Sequence, residues 1–196
     1  MKKTLLLDMD GTLVDSLSVH YLAMVEVFNR ARIVPPTFAE FKRLKPPFSI
    51  LYHARGVRFS SKKIWHIYNQ TVLSNNHEIR PFYDALPFLT AVKARFRIVV
   101  VSGAQTMRVK MNCDHFGFTP FLSRIIGKAE FKEMTFRRFP NSISISDYAP
   151  DTYAARRAGI VPVGLTRGLS DHLEHRQEGA HWIAQSLQRC LPFVLQ

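Results

Sequence analysis

Four strand-like runs in this chain end in side chains able to carry charge or hold an anion. Asp8 and Asp10 follow Thr4–Leu7, Ser102 and Gly103 follow Arg97–Val101, Lys128 and Lys132 follow Ser123–Gly127, and Asp147 and Asp151 follow Ser142–Ser146. Residues two apart on a strand share a face, so Asp8 and Asp10 are expected on one side with Met9 turned away. Two carboxylates that close repel, and a bound cation or a raised pKa is the usual remedy. A hydroxyl at a strand-to-helix turn, with the backbone N–H groups beside it, can cradle phosphate oxygens. Taken alone, the run ending at Ser102-Gly103 would fit any such turn. A lysine adds a point charge on a flexible stem. Asp151 opens a helix, where an acid is favourable even as a simple cap. In open α/β sheets, ligands bind at the carboxyl ends of strands, and these residues fall there.

The stretch DMDGTLVDS from Asp8 to Ser16 resembles the first motif of the haloacid dehalogenase superfamily, in the form carried by its phosphatases and phosphomutases. The resemblance extends over essentially the whole chain. It is strongest at residues 4–16 and 143–187. It implies that Asp8 is the nucleophile and Asp10 the general acid/base, with phosphate held by Thr12, Ser102, Gly103 and a lysine. Lys132 is favoured over Lys128 because related sequences often place this lysine several residues past the strand's glycine. The implied cofactor is Mg2+, on Asp8, the backbone carbonyl of Asp10 and Asp147, with Asp151 in support. Two departures stand out: Ser146 occupies a position where the family prefers Gly, and the family's common Lys-Pro pair is absent. An acid at Asp10 points to phosphate esters, since dehalogenases and phosphonatases of the superfamily usually lack it. A sugar-phosphate mutase would use the same motifs. A non-catalytic anion- or nucleic-acid-binding regulator is the alternative from another class, and the complete acid set argues against it.

The elements that must position these residues follow from periodicity. Helical spacing runs from Val14 to Ile33, then Thr37 caps a short helix through Leu44 that Pro46-Pro47 stops. Phe48–Arg55 and Lys62–His77 read as further helices, the second capped by Ser60 or Ser61. Pro81–Phe96 reads as one helix returning to a core of short parallel strands, with helices at about Gln105–Phe116 and Thr152–Ala158. Further strands are expected at Ile160–Gly164 and His181–Ala184. The expected fold is α/β: a Rossmann-like parallel sheet with helices on both faces (residues 1–15 and 81–196) and a small all-helical cap (16–80). The cap residues hold ten Lys or Arg against three Glu, a net of +7, which suits the gathering of anions. His53, Arg55 and Lys45 are basic candidates for substrate contact.

The 196 residues carry a net charge of +12 with no run of five or six basic residues, so a basic surface that draws in phosphorylated substrates is the economical reading. No nucleic-acid recognition motif accompanies the charge. Met1-Lys2-Lys3 resembles the opening of a signal peptide, but the apolar run stops at Asp8 and no cleavage site follows. No stretch has the length to cross a bilayer. Two cysteines suit a reducing cytoplasm. The expected partner is a small phosphorylated substrate, with no membrane and no nucleic acid, for a monomer or homodimer. Which substrate is not legible.

Overall fold

The computed structural model describes residues 2–44, 48–129 and 131–196. Lys45 and the Pro46-Pro47 stop lie outside the described residues, as does Met1. In chain order the elements are β1 (Lys3–Leu7), β2 (Val14–Asp15), α1 (Leu17–Arg30), α2 (Phe38–Arg43), α3 (Phe48–Ala54), α4 (Ser61–Ser74), β3 (Arg80–Pro81), α5 (Ala85–Val92), β4 (Phe96–Val101), α6 (Thr106–His115), β5 (Leu122–Ile126), α7 (Lys132–Phe136), β6 (Ile143–Ser146), α8 (Ala149–Arg157), β7 (Val161–Leu165), α9 (His172–Gln177), β8 (Trp182–Ala184) and α10 (Leu187–Val194). The chain divides into two compact units, residues 1–15 with 81–196, and residues 16–80.

The first unit is built on a six-stranded sheet in the order β5-β4-β1-β6-β7-β8, every neighbouring pair parallel. Parallel neighbours need crossover connections, and those put helices against the sheet. Central strands are then covered on both faces and read as continuous apolar runs. β1 and β4 obey this. Leu6, Val99 and Val101 pack with Phe136 of α7 and Ala155 of α8. Leu5, Leu7 and Val100, which alternation turns the other way, are also fully buried. Burying each of these leucines contributes about 1.5–3 kcal/mol. On the described residues no helix is long and apolar enough to cross a membrane.

The second unit is helical. Val19, Ala23, Met24, Val27 and Phe28 form the buried stripe of α1, which packs along Ile64, Ile67, Tyr68 and Val72 of α4. Ser60 caps α4, and Thr37 with Glu40 forms a reciprocal capping box on α2. Of the basic candidates here, His53 Nδ1 lies 3.0 Å from the Val57 carbonyl and Arg55 pairs with Glu40 at 3.5 Å.

Several expected boundaries move. Helix α1 begins at Leu17 rather than Val14, because Val14-Asp15 is a short strand. The single helix expected over Pro81–Phe96 shrinks to Ala85–Val92: Phe96 is drawn into the sheet opposite Lys3. Helix α8 starts at Ala149, since Pro150 is tolerated in a first turn. Helix α9, opened by an Asp171–Glu174 capping box, was not anticipated.

Candidate active site

Asp8 lies one residue past β1, where its N–H still donates to the Ile145 carbonyl at 3.0 Å and so extends the ladder. Its Oδ1 accepts from the Met9 N–H at 2.8 Å and sits 2.9 Å from Lys132 Nζ. Lys132 is the first residue of α7 and is buried; its Nζ also donates to Asp151 Oδ2 at 2.5 Å. Ser146 joins the same group, with its Oγ 2.7 Å from Asp151 Oδ2 and 3.3 Å from Asp8 Oδ2. Lys132 and Ser146 thus tie the tips of β1, β6 and α8 together. Lys128 is exposed, holds φ +58° and donates its N–H to the Ala104 carbonyl. Of the two lysines, Lys132 is the one that reaches Asp8.

Asp147, 2% exposed, follows β6 and accepts from the Leu169 N–H at 3.0 Å. The Thr12 hydroxyl lies 3.3 Å from Asp147 Oδ1 and accepts from the Asp147 N–H. Thr12, expected as a phosphate ligand, is instead fully buried, its hydroxyl on Asp147 and its N–H on the Met9 carbonyl. It shapes the turn. Gly11 lies beside it at φ +73°, and a Cβ there would collide with the Asp147 carboxylate. Ser102 is buried after β4, with its N–H on the Ile126 carbonyl and its Oγ accepting from the Ala104 N–H at 3.1 Å. A hydroxyl that accepts in this way keeps its proton to donate. Gly103 stands exposed at the head of that turn.

Asp10 does not share Asp8's partner. The strand ends at Leu7, so alternation no longer applies, and the Asp10 carboxylate meets Arg108 of α6: Nη1 to Oδ1 at 3.1 Å and Nη2 to Oδ2 at 2.5 Å. Arg108 was not anticipated. The available signal was its spacing: it falls with Val109, Asn112 and Cys113 on the buried face of α6. Arg167, after β7, was also missed. It pairs with buried Asp84 at 2.7 Å, donates to the Thr12 carbonyl and lies over the Phe82 ring. No local pattern marks it.

Three carboxylates, the buried Asp147 and Asp151 and the nearly buried Asp8, gather near one buried ammonium. Burial pushes Asp8 up to about 8; the Lys132 charge opposes this, and Asp151 and Asp147 reinforce it. Burial likewise raises Asp147 to about 6, against the pull of the Leu169 N–H. Burial also works against the charge on Lys132, but Asp151 and Asp8 outweigh it and hold that pKa above its ordinary value. The group is short of positive charge. Among the described residues no three His, Cys, Asp or Glu side chains are arranged to hold a metal ion. A hard cation that accepts two carboxylates and completes its shell with carbonyl and water oxygens nonetheless fits this donor set. Asp8 and Asp147 are the carboxylates suited to it. Asp151 is engaged by Lys132 and Ser146, and the Asp10 carboxylate by Arg108.

Comparison with known proteins bears on this arrangement. No curated protein sequence matches the chain. Among solved structures, a predicted phosphatase from Clostridium acetobutylicum superposes with a TM-score of 0.86 at 21% identity, covering 100% of this chain and 99% of that one. A hydrolase of the haloacid dehalogenase-like family from Streptococcus pneumoniae gives 0.84 at 18%, covering 98% of each. A candidate β-phosphoglucomutase from Thermotoga maritima gives 0.72 at 15%, again covering 98% of each. At these identities the likeness is one of fold. A family model described as haloacid dehalogenase-like hydrolase matches residues 5–136, which include Asp8, Asp10, Ser102 and Lys132. The chain belongs to the haloacid dehalogenase-like hydrolases.

Proposed function

We propose that this chain is a Mg2+-dependent phosphatase of a small phosphorylated metabolite, working through an aspartyl-phosphate on Asp8. The observation that carries the reading is the placement of Asp8 at the tip of β1, 2.9 Å from a buried lysine and among carboxylates that leave the group short of positive charge.

In the first step an Asp8 carboxylate oxygen attacks phosphorus in line with the ester oxygen. The P–O bond to the alcohol breaks, and Asp10 supplies the proton that oxygen needs. In the second step Asp10 takes a proton from water, whose oxygen attacks phosphorus and releases Asp8 and inorganic phosphate. Lys132 offsets charge on Asp8 and on the phosphoryl oxygens, and the Ser102 hydroxyl donates to one of those oxygens. Ser146 keeps Asp151 on Lys132, so that the ammonium stays aimed at Asp8. Mg2+ held by Asp8, Asp147, the Asp10 carbonyl and water would cancel the repulsion between a carboxylate nucleophile and a phosphate dianion. By family resemblance residues 16–80 are the cap that selects the substrate, and their surplus of +7 suits an anionic one.

The test is a panel of phosphorylated metabolites assayed with Mg2+ and then with chelator. Phosphate release that chelator stops supports the reading. No release from any member contradicts it. One structural neighbour is a candidate β-phosphoglucomutase, so sugar 1-phosphates belong in the panel: isomerisation without release of phosphate would assign a mutase.

A further inference from the structure

Arg108 is a charged side chain on the buried face of an otherwise polar helix. Its side chain is 8% exposed against 22% for Asp10. The two atom pairs, at 3.1 and 2.5 Å, form a parallel fork, the geometry in which a guanidinium fixes the orientation of a carboxylate as well as its position. Asp10 sits in a turn after β1, Arg108 in the first turn of the helix that follows Ser102, so the pair links the tips of two neighbouring strands. Lysine at 108 could supply charge but not the fork.

We propose that Arg108 is a positioning residue for Asp10, holding its carboxylate in the one orientation from which it exchanges a proton with the ester oxygen. This rests on Asp10 serving as the acid/base of the proposed phosphatase. Its consequence is selective. An ester of an acidic alcohol needs little help in leaving, so it tolerates a loosely held Asp10. An alkyl phosphate does not.

The experiment compares wild type, R108K, R108A, D10N and the R108A/D10N double variant. Each is assayed on p-nitrophenyl phosphate and on the alkyl phosphate turned over fastest in the panel. General acid–base catalysis contributes roughly 100- to 10,000-fold, so R108A is expected to lose about 100-fold in kcat on the alkyl ester, several-fold on the aryl ester, and little in KM. R108K is expected to lie between R108A and wild type, and R108A is expected to add nothing in the D10N background. Equal losses on the two esters, a rise in KM alone, or additive losses in the double variant would overturn the proposal. Where R108A fails to fold, the ester dependence of R108K decides in the same way. Absence of turnover by wild type, or full alkyl activity in D10N, would instead sink the phosphatase reading beneath it.

Discussion

Both units carry exposed ion pairs, but among the described residues only the sheet unit also holds charge at depth. Among the described residues of 16–80 the ion pairs are exposed: Arg30 and Glu26 lie 2.7 Å apart with side chains 53% and 36% exposed, and Arg55 meets Glu40 at 36% and 47%. Such pairs are solvated and screened, and each contributes little. At the strand tips of the other unit the acids and their cations are buried. Lys132, Asp8 and Asp151 have side chains 7%, 12% and 10% exposed, and Arg167 and Asp84 are 10% and 1% exposed. Burial wins at Asp8 and Asp147 and holds their carboxyls above the ordinary range, whereas at Lys132 the neighbouring carboxylates outweigh it. The charges held at depth fall on particular residues, whereas the larger surplus of +7 in the helical unit marks no single residue.

The contrast is broken most severely by K132A. With their shared ammonium gone, Asp151 would be left as a buried charge without its cation, beside an Asp8 that holds its proton still more tightly. We expect a loss of about 3–5 kcal/mol in chemical unfolding at neutral pH without metal, together with loss of turnover. G11A comes next. It places an L side chain at φ +73° and drives it into Asp147, so we expect a loss of about 1–3 kcal/mol and a displaced turn in the variant's crystal structure.

D8N sharpens the contrast by going the other way. The folded protein holds a proton on Asp8 up to about pH 8, against 3.8 for the ordinary group. The folded state therefore binds more protons than the unfolded chain across that window. Stability from this group is full below pH 3.8 and is lost as pH rises toward 8. In metal-free wild type, Tm should fall between pH 5 and pH 8, and Mg2+ should restore it at pH 8. D8N removes the charge and Asp8's share of the slope, leaving Asp147's below about pH 6, so at pH 8 without metal it should be the more stable protein while inactive. A gain of about 1 kcal/mol would read as about 2–4 °C. The smallest effect belongs to E26Q on α1, which should change stability by less than about 0.5 kcal/mol in the same unfolding assay. A larger loss would mean that the helical unit also depends on particular charges.

Much of this was legible in the residues. Three leucines running into Asp8, and the β-branched run into Ser102, read as central parallel strands, and the structure places them side by side. The helical character of 16–80 followed from spacing alone. The rest was hidden for identifiable reasons. Arg108 carries one local signal, its spacing on the buried face of α6, but its partner lies 98 residues away, and no local pattern marks Arg167. Thr12 has a residue type that suits phosphate, but packing turns its hydroxyl onto Asp147. Ser146, noted only as a departure from the family's glycine, supplies the hydroxyl that joins Asp8 to Asp151. The helix expected over Pro81–Phe96 was cut short because its last apolar residue served the sheet better.

The nucleophilic role of Asp8 is open to direct measurement. The protein is mixed with Mg2+ and the best substrate of the panel, quenched in acid within one turnover and treated with borohydride, which reduces an aspartyl-phosphate to homoserine. Peptide mass spectrometry should then find homoserine at position 8, dependent on both Mg2+ and substrate. Homoserine at another aspartate, or turnover by D8N at the wild-type rate, would contradict that role.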